Sequence, residues 1–249
     1  MAIPLPVQAG LWGLLSGSAL ILGAAVGWLV PLSRRIIAAI MAFGAGVLIS
    51  ALSFELMDEA WQRGSIGAVA AGFLGGALVY TAGNIAVARL GAKHRKRSER
   101  PADKDASNGA ALAIGALLDG IPESIVIGVG MLEGGKVGSV AVIAVFLSNI
   151  PEGLSSAAGM KCEGKAAGFV FGLWAAIAAA AGISAWLGYV AFAGLDPSII
   201  AAVQALAAGA ILAMIVDTMV PEAFEGTHDY AGLIAVSGFF AAFLLSKLS

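Results

Sequence analysis

Along most of the chain, residues that prefer hydrocarbon run on for about twenty positions at a time, the length needed to cross ~30 Å of bilayer interior. Such runs fall at 8–30, 36–57, 65–88, 110–132, 137–160, 166–190, 199–220 and 229–246. They predict eight transmembrane helices and a single transmembrane domain spanning 1–249, with no room for a soluble domain. One long polar stretch, KHRKRSERPADKDASNG at 93–109, separates the third run from the fourth. Two runs are broken from within. ALAIGALLDGIPESIVIGVGML carries DGIPES at 119–124, and 29 residues further on the chain repeats the pattern as SNIPEG at 148–153, in equally apolar surroundings.

Composition agrees with the pattern. The chain is 59% apolar and only 12% charged, with a mean hydropathy of +0.93, far from the averages of soluble domains. An integral membrane protein is expected. Residues 1–7 lack a basic region and a small-residue cleavage site, so the first run reads as a retained helix. The single cysteine, Cys162, excludes an intrachain disulfide and a cysteine-built metal site.

The formal net charge of −2 says less than its distribution. With the N-terminus outside, the inner loops hold Arg34, Arg35, Arg89, Lys93, Arg95, Lys96, Arg97, Arg100, Lys104, Lys161 and Lys165, and the outer side keeps Arg63, Lys136 and Lys247. The positive-inside rule therefore predicts both termini outside and the 93–109 loop in the cytoplasm. Its basic cluster reads as a topology anchor in preference to a site for anionic lipid or nucleic acid.

The chain also repeats itself. GAGVLISALSFELMDEA at 44–60 aligns without gaps to AAGAILAMIVDTMVPEA at 207–223, with identities at Ala45/Ala208, Gly46/Gly209, Glu59/Glu222 and Ala60/Ala223. On the charge-derived topology the second helix runs outward and the seventh inward, so the repeat is inverted. The fourth and fifth helices form a second inverted pair. The expected fold is all-α, a 3+2+3 inverted-repeat bundle of eight transmembrane helices, an arrangement known among transporters.

Asp119 and Glu123 fall near the bilayer midplane, and Ser148 and Glu152 reach similar depth from the opposite side. A charge there costs at least ~2.5–3.5 kcal/mol, so three acids at one level call for a partner, a proton or a cation. Each pair is spaced i, i+4 and shares a helical face. Pro122 and Pro151 free the carbonyls of Leu118 and Leu147, and freed backbone in a membrane helix is tolerated where it lines a wet cavity or coordinates an ion. Protonated acids joined by interhelical hydrogen bonds, with the prolines as plain kinks, are the plainer alternative. Two matched motifs make a cation site the simpler account. Glu55 and Asp217 lie inside the second and seventh helices. Asp58, Glu59, Glu222 and Glu225 lie at their ends, as attracting groups for a cation or as ordinary interfacial charges. Asn84 and Gln204 are expected to make interhelical hydrogen bonds.

These features resemble the ZIP (Zrt/Irt-like) family of divalent metal transporters, whose fourth and fifth helices carry HNxPEG-like motifs matched here by DGIPES and SNIPEG. The segments around Glu55 and VDTMVPEA at 216–223 also resemble that family's second and seventh helices. The resemblance implies a ZIP-like eight-helix bundle, commonly a homodimer, that moves zinc, iron, manganese or a related ion toward the cytoplasm. Carried over by position, it implies metal contacts at Glu123, Glu152 and Asn149. Asp119 and Ser148 stand where the family has histidines, and Gly120 where it has an asparagine. The sixth helix, LWAAIAAAAGISAWLG at 173–188, has no polar side chain in its first half where the family often has a glutamate. His94 and His228 both fall outside the spans, leaving an oxygen-ligand site. Such a site shifts preference from zinc alone toward harder divalent ions.

The leading expectation is a divalent cation uptake transporter of a bacterial inner membrane, with Asp119, Glu123, Ser148, Asn149 and Glu152 as ligands and Glu55, Asp58, Glu59, Asp217 and Glu222 along the pathway. Its partners are lipid, divalent cations and a second copy, with no nucleic acid and no cofactor beyond the transported ion. No GxxxxGKS or GxxxxGKT motif is present, which speaks against ATP hydrolysis. The alternatives are a metal-binding sensor or scaffold of the same fold, and, less favoured, an intramembrane aspartyl protease using Asp119 with Asp217. The protease reading lacks a GxGD context and leaves the proline-glutamate repeats unexplained.

Overall fold

The computed structural model describes residues 3–92, 109–132 and 139–248, so all of the predicted 93–109 loop but Gly109 lies outside the described residues, as does Lys136. Those residues are almost entirely helical, with no strand among them. The main elements are α1 (Leu5–Leu29), α2 (Arg34–Ala51), α3 (Met57–Arg63), α4 (Ile66–Val87), α5 (Gly109–Gly130), α6 (Ser139–Cys162), α7 (Ala167–Phe192), α8 (Pro197–Met214), α9 (Val220–Thr227) and α10 (Ala231–Leu248). Among the described residues, seven helical runs are long and apolar enough to cross a membrane, the last being the 52 residues Pro197–Leu248. This is the architecture of an integral membrane protein. Large apolar side chains face outward, among them Leu74, Leu78 and Leu233, each roughly 70% exposed (68%, 71% and 71%). In water that surface would be untenable; against lipid it is ordinary.

Local sequence sets the ends. Ser33 and Ser65 cap α2 and α4 by accepting from the amides of Ile36 and Ala68, and Asp196 caps α8 by accepting from Ser198 N ahead of Pro197. Gly164 and Gly194 turn the chain after α6 and α7 at φ 77° and 80°, a conformation that side chains other than glycine rarely adopt. His228 takes φ 46° between α9 and α10 and interrupts the 52-residue run.

Two predicted spans prove longer than their apolar runs. The second continues from α2 through a π-helical turn, Leu52–Leu56, into α3 as far as Arg63, and the seventh from α8 through the π turn Ile215–Met219 into α9 as far as Thr227. Charge ended those runs in the sequence but does not end the helices, because the charged side chains find partners there. Gln204 Nε2 donates to Glu59 Oε2 (2.8 Å), and Arg34 pairs with Glu225 (2.9 Å). The two π turns occupy matched positions: aligning 44–60 with 207–223 places Leu52 on Ile215 and Leu56 on Met219. The sequence repeat is thus repeated in backbone geometry.

Packing follows the same duplication. Helix α1 packs on α6 and α7 on α5; α4 packs on α8 and α10 on α2. Glycines make these seams by admitting the neighbouring backbone. A methyl added at Gly76 would overlap the Leu206 carbonyl oxygen, and one at Gly238 that of Phe43; Gly46 meets Ala235 and Gly209 meets Phe73 in the same way. Close approach through small residues is the usual basis of helix association in lipid, where apolar burial supplies no drive. Gly23, Gly27 and Gly153 seat α1 on α6, and Gly128 seats α5 on α7. The helices carrying DGIPES and SNIPEG are each gripped by an outer neighbour. At one end of the bundle Arg34, Lys161 and Cys162 line a common pocket where α1 passes to α2 and α6 ends. Arg34 and Lys161, two of the eleven basic residues that the charge pattern assigned to one side, share this end.

Candidate functional site

Asp119 and Glu123 on α5 and Glu152 on α6 are all buried, at 2%, 2% and 5% exposure. The i, i+4 spacing aligns each motif along its helix, and the ring of Pro151 is accommodated against Gly44 of α2, where a methyl would come within 2.5 Å of Pro151 Cγ. Asp119 and Glu152 line one narrow cavity between α5, α6 and α7, together with Leu112, Ala116, Ser156, Met160, Leu173 and Trp174. Its volume is ≈ 10 Å³ for the centre of a water-sized sphere, which is room for about one water molecule. From the two carboxylates the cavity extends past Ser156 toward Met160, the residue before Lys161.

Two aromatic residues belong to this site, although in the sequence they look like apolar filler. Tyr80 of α4, 1% exposed, donates its hydroxyl to Asp119 Oδ1 at 2.7 Å. Trp174 of α7, 4% exposed, forms a wall of the cavity, and its indole Nε1 is buried with no hydrogen-bond partner. The first half of the sixth span, which seemed to offer no polar group, therefore offers a donor. A tyrosine or tryptophan inside an otherwise aliphatic run was the available signal, since a buried O–H or N–H has to be placed.

The other predicted ligands are placed differently. Ser148 Oγ donates to Val145 O one turn back on its own helix (2.9 Å), and Asn149 Nδ2 donates to Ser16 O on α1 (2.9 Å). Glu123 lies one turn beyond Asp119 and is not among the residues lining the cavity. Among the described residues, no three His, Cys, Asp or Glu side chains are grouped so as to hold a metal ion. Of the five predicted ligands, the structure brings Asp119 and Glu152 together at one cavity.

The predicted pathway acids divide into three groups. Glu222, expected at a mouth, is instead buried at 2% exposure and accepts from Ser155 Oγ of α6 (3.3 Å), so it belongs to the polar interior. Asp58 and Glu59, expected at the end of the second helix, lie in the first turn of α3 because that helix continues to Arg63, with Asp58 accepting from Gln62 (2.8 Å). Glu55 and Asp217 sit in the two π turns and face outer helices. Ser246 of α10 donates to Glu55 Oε1 (2.5 Å), and Asn84 of α4 donates to Asp217 Oδ2 (3.2 Å). Asn84 and Gln204 do make the interhelical bonds expected of them. Asp217 is exposed on the bundle surface, unlike buried Asp119. The chain matches no model of a known protein family, and no curated protein matches it.

Proposed function

We propose that the chain is a divalent cation transporter in which Asp119 and Glu152 form the core of a midplane binding site. The observation that carries the proposal is the meeting of these two carboxylates, one from each proline-glutamate motif, at a single narrow cavity inside a membrane bundle. Oxygen ligands suit magnesium, calcium and manganese, and zinc also accepts carboxylates. Ser156 adds a hydroxyl, and Tyr80 orients Asp119. The resemblance of DGIPES and SNIPEG to the ZIP motifs supports the same reading. So does the inverted duplication, in which we place eight crossings in a 3+2+3 order by taking Pro197–Leu248 as two spans divided at His228.

On the positive-inside orientation, with both termini outside and the membrane a bacterial inner membrane, the cavity lies on the cytoplasmic side of the two acids. That is the side on which an imported ion leaves. Glu222 and Ser155 extend the polar interior along α6 and are the next groups available to it. Glu123 becomes a ligand if α5 shifts against α6, the type of rigid-body movement by which inverted-repeat transporters alternate access.

The test is uptake into proteoliposomes of manganese, zinc, iron and magnesium by wild type, Asp119→Asn and Glu152→Gln. Each substitution is expected to lower uptake by at least about tenfold, the smallest loss usual even for groups that only support a metal ligand. Unchanged uptake in both variants would remove the site. Ion binding by calorimetry with no uptake in the wild type would instead favour a sensor built on the same fold.

A further inference from the structure

The indole of Trp174 poses a problem that the cation site does not solve. An indole N–H donates and cannot accept, and a buried donor left unsatisfied costs roughly 1–3 kcal/mol. A cation offers it nothing, since the N–H presents its positive end. The space beside Trp174 is the cavity of ≈ 10 Å³ that it walls with Asp119, Glu152 and Ser156, and a lone pair placed there is the nearest way to satisfy its N–H. A single water molecule meets each of these demands. It has an oxygen to accept from Nε1, two hydrogens to give to carboxylates, and the volume the cavity allows; two to four polar partners are what a buried water requires.

We propose that in the ion-free protein one ordered water, anchored by Trp174 Nε1–H, bridges Asp119 and Glu152, and that an arriving cation must displace it. Trp174 is then a positioning residue of an unusual kind. It holds the carboxylates in register through the water while the site waits, and it opposes occupancy, because displacement of the water strips the indole of its acceptor. A transport site has to release its ion as well as capture it, and a penalty applied only to the loaded state favours release. The effect on ion affinity rests on the cation-site reading; the water itself does not.

The experiment compares manganese binding, by titration calorimetry on the full-length detergent-solubilised protein, for wild type and Trp174→Phe. Phenylalanine keeps most of the bulk and deletes the donor. Manganese is expected to bind about tenfold more tightly to the variant, since it no longer strands an N–H. A packing role alone would weaken binding, so equal or weaker affinity overturns the proposal. Should Trp174→Phe fail to fold, high-resolution density for the ion-free wild type decides the matter. A water within hydrogen-bonding distance of Nε1 and both carboxylates is expected, and density without one overturns the proposal. Asp119→Asn and Glu152→Gln are titrated alongside. If both bind manganese like wild type, the cation-site reading fails, and the water is judged by the density alone.

Discussion

Tyr80 shows how much of the site depends on residues that carry no charge. Its hydroxyl ties Asp119 to α4, and a hydrogen bond to a carboxylate contributes about 1.5–3 kcal/mol. If the chain carries a divalent cation as proposed, Tyr80→Phe is therefore expected to leave the fold intact and to raise the KM for that ion several-fold, with a smaller change in maximal rate, because the carboxylate is less well aimed. Equal KM values for wild type and variant would show that Asp119 is oriented by other means. The acids of DGIPES and SNIPEG were legible in the sequence because charge is conspicuous among aliphatic residues and because the motif occurs twice. Tyr80 and Trp174 were not, since an aromatic residue in a membrane helix is unremarkable until the fold buries its O–H or N–H, as it does for Tyr80 beside Asp119 and for Trp174 at the cavity wall. Ser148 and Asn149 were legible as polar but not in direction: one bonds within its own helix, the other to α1.

At the scale of elements, adjacent glycines on α4 behave as opposites. Gly75 has nothing near its missing Cβ, whereas Gly76 is pressed against the Leu206 carbonyl. Gly75→Ala is expected to be neutral or to stabilise by up to about 0.5–1 kcal/mol, as alanine usually does inside a helix. Gly76→Ala is expected to destabilise by more than the ~1–3 kcal/mol of ordinary overpacking, because the obstacle is backbone and cannot rotate away. Thermal unfolding of the two variants in one detergent distinguishes them, and similar melting temperatures would contradict the seam. Runs of apolar residues pointed to long helices, and seven helical runs among the described residues are long and apolar enough to cross a membrane. The π turns were not readable. A π turn adds one residue to a helical turn without any change of composition, and only the gapless repeat 44–60/207–223 made its duplication intelligible afterwards.

For the whole molecule, the native Cys162 reports orientation without engineering. It is the only cysteine, is exposed, and lies with Arg34 and Lys161 at one end of the bundle. With that end in the cytoplasm, a membrane-impermeant maleimide is expected to label inside-out vesicles and to spare intact spheroplasts. Labelling of spheroplasts instead would reverse the topology and turn the narrow cavity toward the outside. That the chain folds into long membrane-spanning helices was legible, since a bilayer restricts the choice of fold more than water does. What could not be read was which helices touch, because apolar runs look alike until their glycines are matched to particular carbonyls.

Those glycine seams also bear on how the protein comes into being. Gly46 closes on Ala235 and Gly76 on Leu206, joining helices that lie far apart in the sequence. A ribosome delivers α2 and α4 into the membrane before α8 and α10 exist, so these seams close only after the later helices arrive. A chain stopped before Ala231 would leave α2 lacking its α10 partner, a lasting target for the proteases that survey unassembled membrane helices.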